Sequence, residues 1–360
     1  MGQVIAVLVA GAGIASTLLA ERGVSIPTSQ SLLNYVLLAV VYLGVSSWRD
    51  GQQAACVQTA PWYVFAVLAL IDVEANFLIV KAYAYTSLTS IQILDCWAIP
   101  TSMGLSCVVL GAAYSRGHYI GVTIAIAGLA VLVGTDGTSD AGGDAEPQRR
   151  LLGDALCIAA ATLYAASNVA QELLLRAGVP RTVYLGQLGV WGSIISALQV
   201  VLLERDSLAA LLASGGGATV LPLTIAFVAC LFCMYSLTTV MLPTAGSAAF
   251  NLSLLAADLY AVLASQFLFG DSLPYLFWAA LCLVVVGLAA YHASPVPTMA
   301  SNALSLVVAR WFGASLPHVR VGDDTGSVTT PLSLRLGDVA IVGMPQSLEP
   351  QSNPQIPARL

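Results

Sequence analysis

The chain has 360 residues, 58% of them hydrophobic and only 9% charged, with a formal net charge of -6. Soluble domains carry about 25% charged residues, so this composition, with a mean hydropathy of +0.84, excludes an ordinary soluble domain and reads as a polytopic membrane protein. The acidic balance excludes nucleic acid as a partner, because phosphate binding needs basic surface.

Apolar runs fall at roughly 2–20, 31–48, 61–82, 88–111, 118–134, 151–175, 183–203, 219–242, 246–269 and 274–292. Each approaches the ~20 residues that cross a bilayer as a helix. The runs are continuous rather than alternating, so they are helices, whose backbone groups are satisfied within the segment. The first run begins at Gly2 with no basic stretch before it and no clean cleavage site after it; it reads as a span rather than a signal peptide.

The third run and the start of the fourth carry Asp72, Glu74, Asn76, Lys81, Gln92 and Asp95. A charge near the bilayer centre costs roughly 2.5–3.5 kcal/mol on insertion scales. On a helix of 3.6 residues per turn, Asp72 and Asn76 share one stripe, and Glu74 and Lys81 lie nearly opposite. Both stripes cannot line one cavity, so one packs against a neighbouring helix. Lys81 is the sole lysine. It either meets an anionic group or a carboxylate inside the bundle, or snorkels from the helix end. Gln92 and Asp95 share a face and suit a solute or proton site, or else interhelical hydrogen bonds and capping. Pro100 is internal to the fourth run and predicts a kink.

In the fifth run Gly121 and Gly128 form a smooth groove, as do Gly186, Gly189 and Gly192 in the seventh; both predict close helix packing. Residues 135–150 are Gly- and acid-rich and divide the chain into two sets of five runs. Five is odd, so the second set enters the membrane inverted, the plan of many secondary transporters. A shift of 159 positions lays Gly128, Leu129 and Ala130 on Gly287, Leu288 and Ala289, and Gln92 on Asn251. Chance matches between Leu-, Ala- and Val-rich helices are the alternative.

In the sixth run Tyr164, Asn168 and Glu172 recur every fourth residue, a stripe that lines a cavity or packs against another helix. In the ninth, Asn251 precedes Asp258, whose charge needs another span, a cation or a proton. Cys230 and Cys233 form a CxxC without the second ligand pair that zinc requires; they read as small apolar residues. From residue 293 Pro, Ser, Gly and Asp dominate, which reads as a disordered tail, with 303–312 as a short interfacial helix. An even span count and Arg310, Arg320 and Arg335 in the tail place both termini in the cytosol.

The stretches VEANFLIVKAYAYTSLTSIQILDCWAIP, GDALCIAAATLYAASNVAQE and FNLSLLAADLY resemble the F-type branch of the solute-carrier 35 family, within the drug/metabolite transporter superfamily. The resemblance runs from about Gly2 to Tyr291. It implies a ten-helix carrier of two inverted five-helix repeats, related to nucleotide-sugar transporters, with cytosolic termini.

The expectation is therefore an all-α membrane protein of about ten transmembrane helices. Residues 1–134 form the first repeat, 135–150 a polar loop, 151–292 the second repeat and 293–360 the tail. Its function is secondary transport of a small polar organic solute by alternating access. The candidate wall is Glu74, Lys81, Gln92, Asp95, Tyr164, Asn168, Glu172, Asn251 and Asp258. No cofactor or metal is called for, and the partners are the solute, membrane lipid, and a proton or exchange substrate. The chain lacks a GxxxxGK[ST] loop, so a gradient or exchange drives the cycle. An intramembrane enzyme is disfavoured: there is no GxSxG or HExxH, and His118, His292 and His318 stand at run edges or in the tail. A non-transporting scaffold or receptor is the alternative function. The membrane is Golgi or ER, vacuolar or plasma membrane.

Overall fold

The computed structural model describes residues 1–22, 26–53, 60–82, 85, 91, 94–136, 147–205, 209, 217–269, 276–295 and 297–299. The fold is mostly helical. In chain order the helices are α1 (Gly2–Glu21), α2 (Pro27–Gln53), α3 (Trp62–Ala82), α4 (Ala98–Val109), α5 (Arg116–Asp136), α6 (Pro147–Arg176), α7 (Arg181–Gln199), α8 (Gly217–Ala245), α9 (Ser247–Phe269) and α10 (Leu276–His292). Six of them hold segments long and apolar enough to cross a bilayer, in α1, α2, α3, α6, α7 and α8; α4, α5 and α10 hold shorter apolar stretches. The chain divides into units Met1–Val319 and Arg320–Leu360. The second unit, the 303–312 segment and loop residues 137–146 lie outside the described residues.

Hydropathy places the helices well, and local chemistry adjusts their ends. Proline opens α2 and α6 at Pro27 and Pro147, where a missing N–H costs nothing. The fourth run is interrupted before Pro100: Cys96 and Trp97 form a turn between helical residues 94–95 and α4, which starts at Ala98. Pro100 thus sits in a first turn, and its ring keeps residue 96 out of the helix. The hairpin between α8 and α9 is tighter than the sequence implied. Its link is Gly246 alone, at φ 86°, where only glycine is unstrained. The Gly246 N–H donates to Leu242 O at 3.0 Å and closes α8. Helix α7 runs on into a π-helical turn, Val200–Glu204. A two-residue antiparallel ribbon, Ala112 opposite Met299 and Ala113 opposite Thr298, was not legible from the sequence.

The most extensive helix contacts each join a helix before residue 137 to one after 146: α5 with α10, α2 with α7, α3 with α6, and α1 with both α8 and α9. Small residues permit the closest crossings. A β-carbon on Gly121 or on Gly287 would stand 2.7 Å from the other's carbonyl oxygen. At the α2–α7 crossing Gly189 meets the backbone of Ala39 and Tyr35, Gly186 meets Leu43, and Gly192 lies under the Tyr35 ring. The outside is apolar, with Val40, Val108, Leu202 and Ile225 exposed, whereas Gln30, Asn34, Asp72, Glu172 and Asn251 are buried. That inversion of the soluble pattern is what lipid as solvent requires. Cys233 is exposed and Cys230 half-buried, both as free thiols.

Candidate functional site

Asp72 is the middle residue of the 21-residue α3. Its Oδ2 accepts a hydrogen bond from Tyr35 Oη on α2 at 2.6 Å and one from Tyr235 Oη on α8 at 2.7 Å. The two phenol oxygens are 3.4 Å apart, with the rings edge to face. One turn on, Asn76 Nδ2 donates to Asp72 O at 2.8 Å and to Tyr35 Oη at 3.4 Å. Asn76 Oδ1 accepts from Tyr164 Oη of α6 at 3.0 Å. Four helices thus meet on one hydrogen-bonded knot. Gly192 helps to create it, because any side chain there would displace the Tyr35 ring.

The Tyr164, Asn168, Glu172 stripe continues the seam along α6. Asn168 Nδ2 donates to Asn251 Oδ1 of α9 at 3.0 Å, and Asn251 Nδ2 donates to Ser247 O at 3.0 Å. Glu172, 1% exposed, has two partners. Its Oε1 accepts from Arg176 Nε at 2.8 Å, and its Oε2 accepts the backbone N–H of Ser247 at 2.7 Å. Ser247 opens α9, so Glu172 caps that helix from α6 and favours its positive end. Ser106 of α4 and Ser247 join hydroxyls at 3.0 Å.

The two stripes of α3 part as their spacing requires. Asp72 and Asn76 face the knot, and Glu74 packs against α7, its Oε1 accepting from Gln199 Nε2 at 3.0 Å. Lys81 is exposed in the last turn of α3, with Nζ 5.4 Å from the centre of the Phe77 ring. Lys81 makes no ion pair with Glu74 or Asp95 among the described residues. Asp95 is exposed beside the turn at Cys96, Asp258 is half-buried and Asn251 buried. Gln92 lies outside the described residues. The knot thus takes Tyr164 from the sequence-read wall and adds Tyr35, Asp72, Asn76 and Tyr235. Asp72 carried a readable signal, a carboxylate at mid-span. Tyr35 and Tyr235 carried none, each being a tyrosine within an apolar run.

The placement of Lys81 sets an expected result. Lys81→Ala should shift stability by no more than about 1 kcal/mol, the scale of a surface substitution and an exposed cation–π contact. Thermal melting in detergent checks this. A loss of several kcal/mol would instead identify a buried ion pair at Lys81.

A helical bundle with an apolar exterior and a buried polar seam is an integral multi-pass membrane protein. The family model of solute carrier family 35, F branch, matches residues 1–293. The chain belongs to that family. It is 35% identical over 304 residues to solute carrier family 35 member F2 of Mus musculus, covering 83% of this chain and 79% of that one. The same member in Xenopus tropicalis is 33% identical over 299 residues, covering 82% and 75%. An uncharacterized solute carrier family 35 member of Schizosaccharomyces pombe is 32% identical over 272 residues, covering 74% and 52%. A protein crystal structure matches with a TM-score of 0.61 at 17% identity, over 81% of this chain and 95% of the other; at that identity the likeness is one of fold alone.

Proposed function

We propose that this solute carrier is a secondary transporter that moves a small polar organic solute by alternating access, with two inverted five-helix repeats and both termini in the cytosol. The observation that carries the reading is the polar seam from Tyr35 and Asp72 through Asn76 and Tyr164 to Asn168 and Asn251, buried at Tyr35, Asp72 and Asn251 and half-buried between. Buried polar groups in a membrane bundle are costly and concentrate where a polar solute or ion passes.

The pairing of helices supports the repeat. Exchange α1 to α5 for α6 to α10, and the contacts of α1 with α8 and α9 become those of α6 with α3 and α4. The α3–α7 contact becomes α8–α2, while α2–α7, α4–α9 and α5–α10 map onto themselves. A polar seam between two such halves is where rocking of one against the other would expose a solute to either side in turn.

The test is uptake by the purified protein in proteoliposomes, screened against small polar organic solutes. At least one solute should enter saturably and exchange with itself across the membrane. Tyr164→Phe, which deletes one hydroxyl and keeps the ring, should slow that uptake by about tenfold, the scale of one hydrogen bond. A folded protein that neither accumulates any solute nor melts at a higher temperature in its presence is a scaffold or receptor instead. Tag accessibility tests the repeat: both termini belong on one side and the 137–146 loop on the other.

A further inference from the structure

Asp72 is the carboxylate at the centre of the knot that joins α2, α3 and α8. It sits at the centre of α3 and is 8% exposed. A charge there is costly and survives where something matches it. Among the described residues Asp72 makes no ion pair, so no cation among them matches it. Two phenol hydroxyls do so, both on Oδ2. The titratable groups that face it are Tyr35 from α2, Tyr235 from α8, Tyr184 from α7 and, through Asn76, Tyr164 from α6. On its own helix Glu74 turns away toward Gln199.

A second observation is independent of the first. Buried polar groups run from Asp72 toward both ends of the bundle. One branch ends at Glu172, near the C-terminus of α6. The other passes Asn34 and Gln30 on α2, whose Oδ1 and Oε1 are buried without a hydrogen-bond partner. It ends where Glu204 accepts the N–H of Thr28 at 2.6 Å, the N–H of Ser29 at 2.8 Å and the Ser29 hydroxyl at 2.7 Å. Glu204 closes the π turn after α7. Helices α6 and α7 are joined by the short link 177–180, so their C-terminal ends stand on opposite faces. The branch from Ser29 to Tyr35 covers about 9 Å of helix. Orphaned buried acceptors of this kind are what ordered water bridges.

We propose that Asp72 is the residue on which this carrier takes up a proton from one face and releases it to the other. The proposal rests on the transport reading for its purpose, although the protonation itself does not. On loading, a hydronium ion gives its proton to the carboxylate, one O–H bond forms and a water molecule leaves. The Tyr35 and Tyr235 hydroxyls then lose an anionic acceptor, and hydrogen bonds to an ion are about twice as strong as neutral ones. The tie between α2, α3 and α8 loosens. On unloading, water takes the proton and the carboxylate regains both donors. The proton is thereby linked to the same helix contacts that alternating access must change.

The experiment uses the purified full-length chain in lipid vesicles without solute. Infrared difference spectra between acid and alkaline buffer should show a protonated-carboxyl C=O band in the wild type that Asp72→Asn removes. Tyr35→Phe/Tyr235→Phe should keep the band to higher pH, because the carboxylate has lost two donors. If Asp72→Asn does not fold, the tyrosine variant decides, and an unmoved titration overturns the proposal. So does a band that survives Asp72→Asn and vanishes in Glu74→Gln. Exchange of sodium for N-methylglucamine at constant pH should leave the melting temperature unchanged. A sodium-dependent shift that Asp72→Asn abolishes would assign a metal cation and overturn the proton. With a solute from the uptake screen, the wild type should accumulate it when driven by a pH step, and Asp72→Asn should lose that accumulation. If the band titrates at Asp72 while no solute moves, the transport reading falls and the proton site stands.

Discussion

Gly189→Val should remove most of the folded protein, measured as the monodisperse fraction after detergent extraction and as thermal melting. Gly189 lies where α7 crosses α2. A β-carbon there would stand 2.8 Å from Ala39 Cα and 2.8 Å from the carbonyl oxygen of Tyr35. These are backbone atoms, which cannot swing aside as a side-chain tip can. The helices must move apart, and overpacking of this kind costs typically 1–3 kcal/mol and sometimes more. A main-chain collision belongs at the upper end, above about 3 kcal/mol, against a total stability of about 5–15 kcal/mol. The damage reaches the polar knot as well, because Tyr35 lies on the helix that would be displaced. Gly13→Val is the control: no atom outside its own helix backbone lies within 4 Å of its β-carbon position. It should express and melt within about 1 kcal/mol of wild type. Equal behaviour of the two variants would mean that α2 and α7 do not cross at Gly189.

Arg176→Ala should be nearly as damaging, and for an electrostatic reason. Glu172 is 1% exposed while the Arg176 side chain is 23% exposed. Removal of the arginine strands a buried carboxylate with the Ser247 N–H as its remaining partner from the pair of bonds. Breaking a buried pair typically costs about 3–5 kcal/mol; the part-exposed arginine places this one near 3. Glu172→Gln/Arg176→Ala should recover much of that loss, since a neutral amide needs no counter-charge and its oxygen can still accept from Ser247. Glu172→Ala should cost about 1–2 kcal/mol, the worth of a helix cap, because the freed guanidinium can turn toward water. Glu172→Gln is the matching single variant, and the cycle is read from the melting temperatures of wild type, Glu172→Gln, Arg176→Ala and the double variant. If Glu172→Gln shifts the melting temperature equally with and without Arg176, the pair carries no coupling and Glu172 serves only as a cap.

What could be read in advance and what could not follow different physics. Hydropathy is a local sum, so the run read at 219–242 lies inside α8, Gly217–Ala245, and the run at 151–175 inside α6, Pro147–Arg176. Family membership was legible for the same reason, because the three motifs are continuous in sequence. The limits appear where two distant segments decide. Glu172 read as part of a cavity wall, and its partner N–H lies 75 residues on. Glu74 and Lys81 read as a possible pair on one face, yet Glu74 meets Gln199, 125 residues away. Tyr35 and Tyr235 converge on Asp72 across 200 positions, and no periodicity in either helix announces it.

The sequence by itself determined that this chain lives in lipid as helices, which residues break the apolar pattern, and which glycines let helices touch. Each of those follows from the transfer of single side chains between water and hydrocarbon, and from the fixed pitch of one helix. Only the tertiary structure decided how the polar groups are used. It turned Asp72 and Asn76 inward and Glu74 toward α7, left Lys81 at the surface, and spent Glu172 on the start of α9. The reason is that a buried polar group is stabilised by its hydrogen-bond partner rather than by its own chemistry, and the partner is chosen by how helices cross.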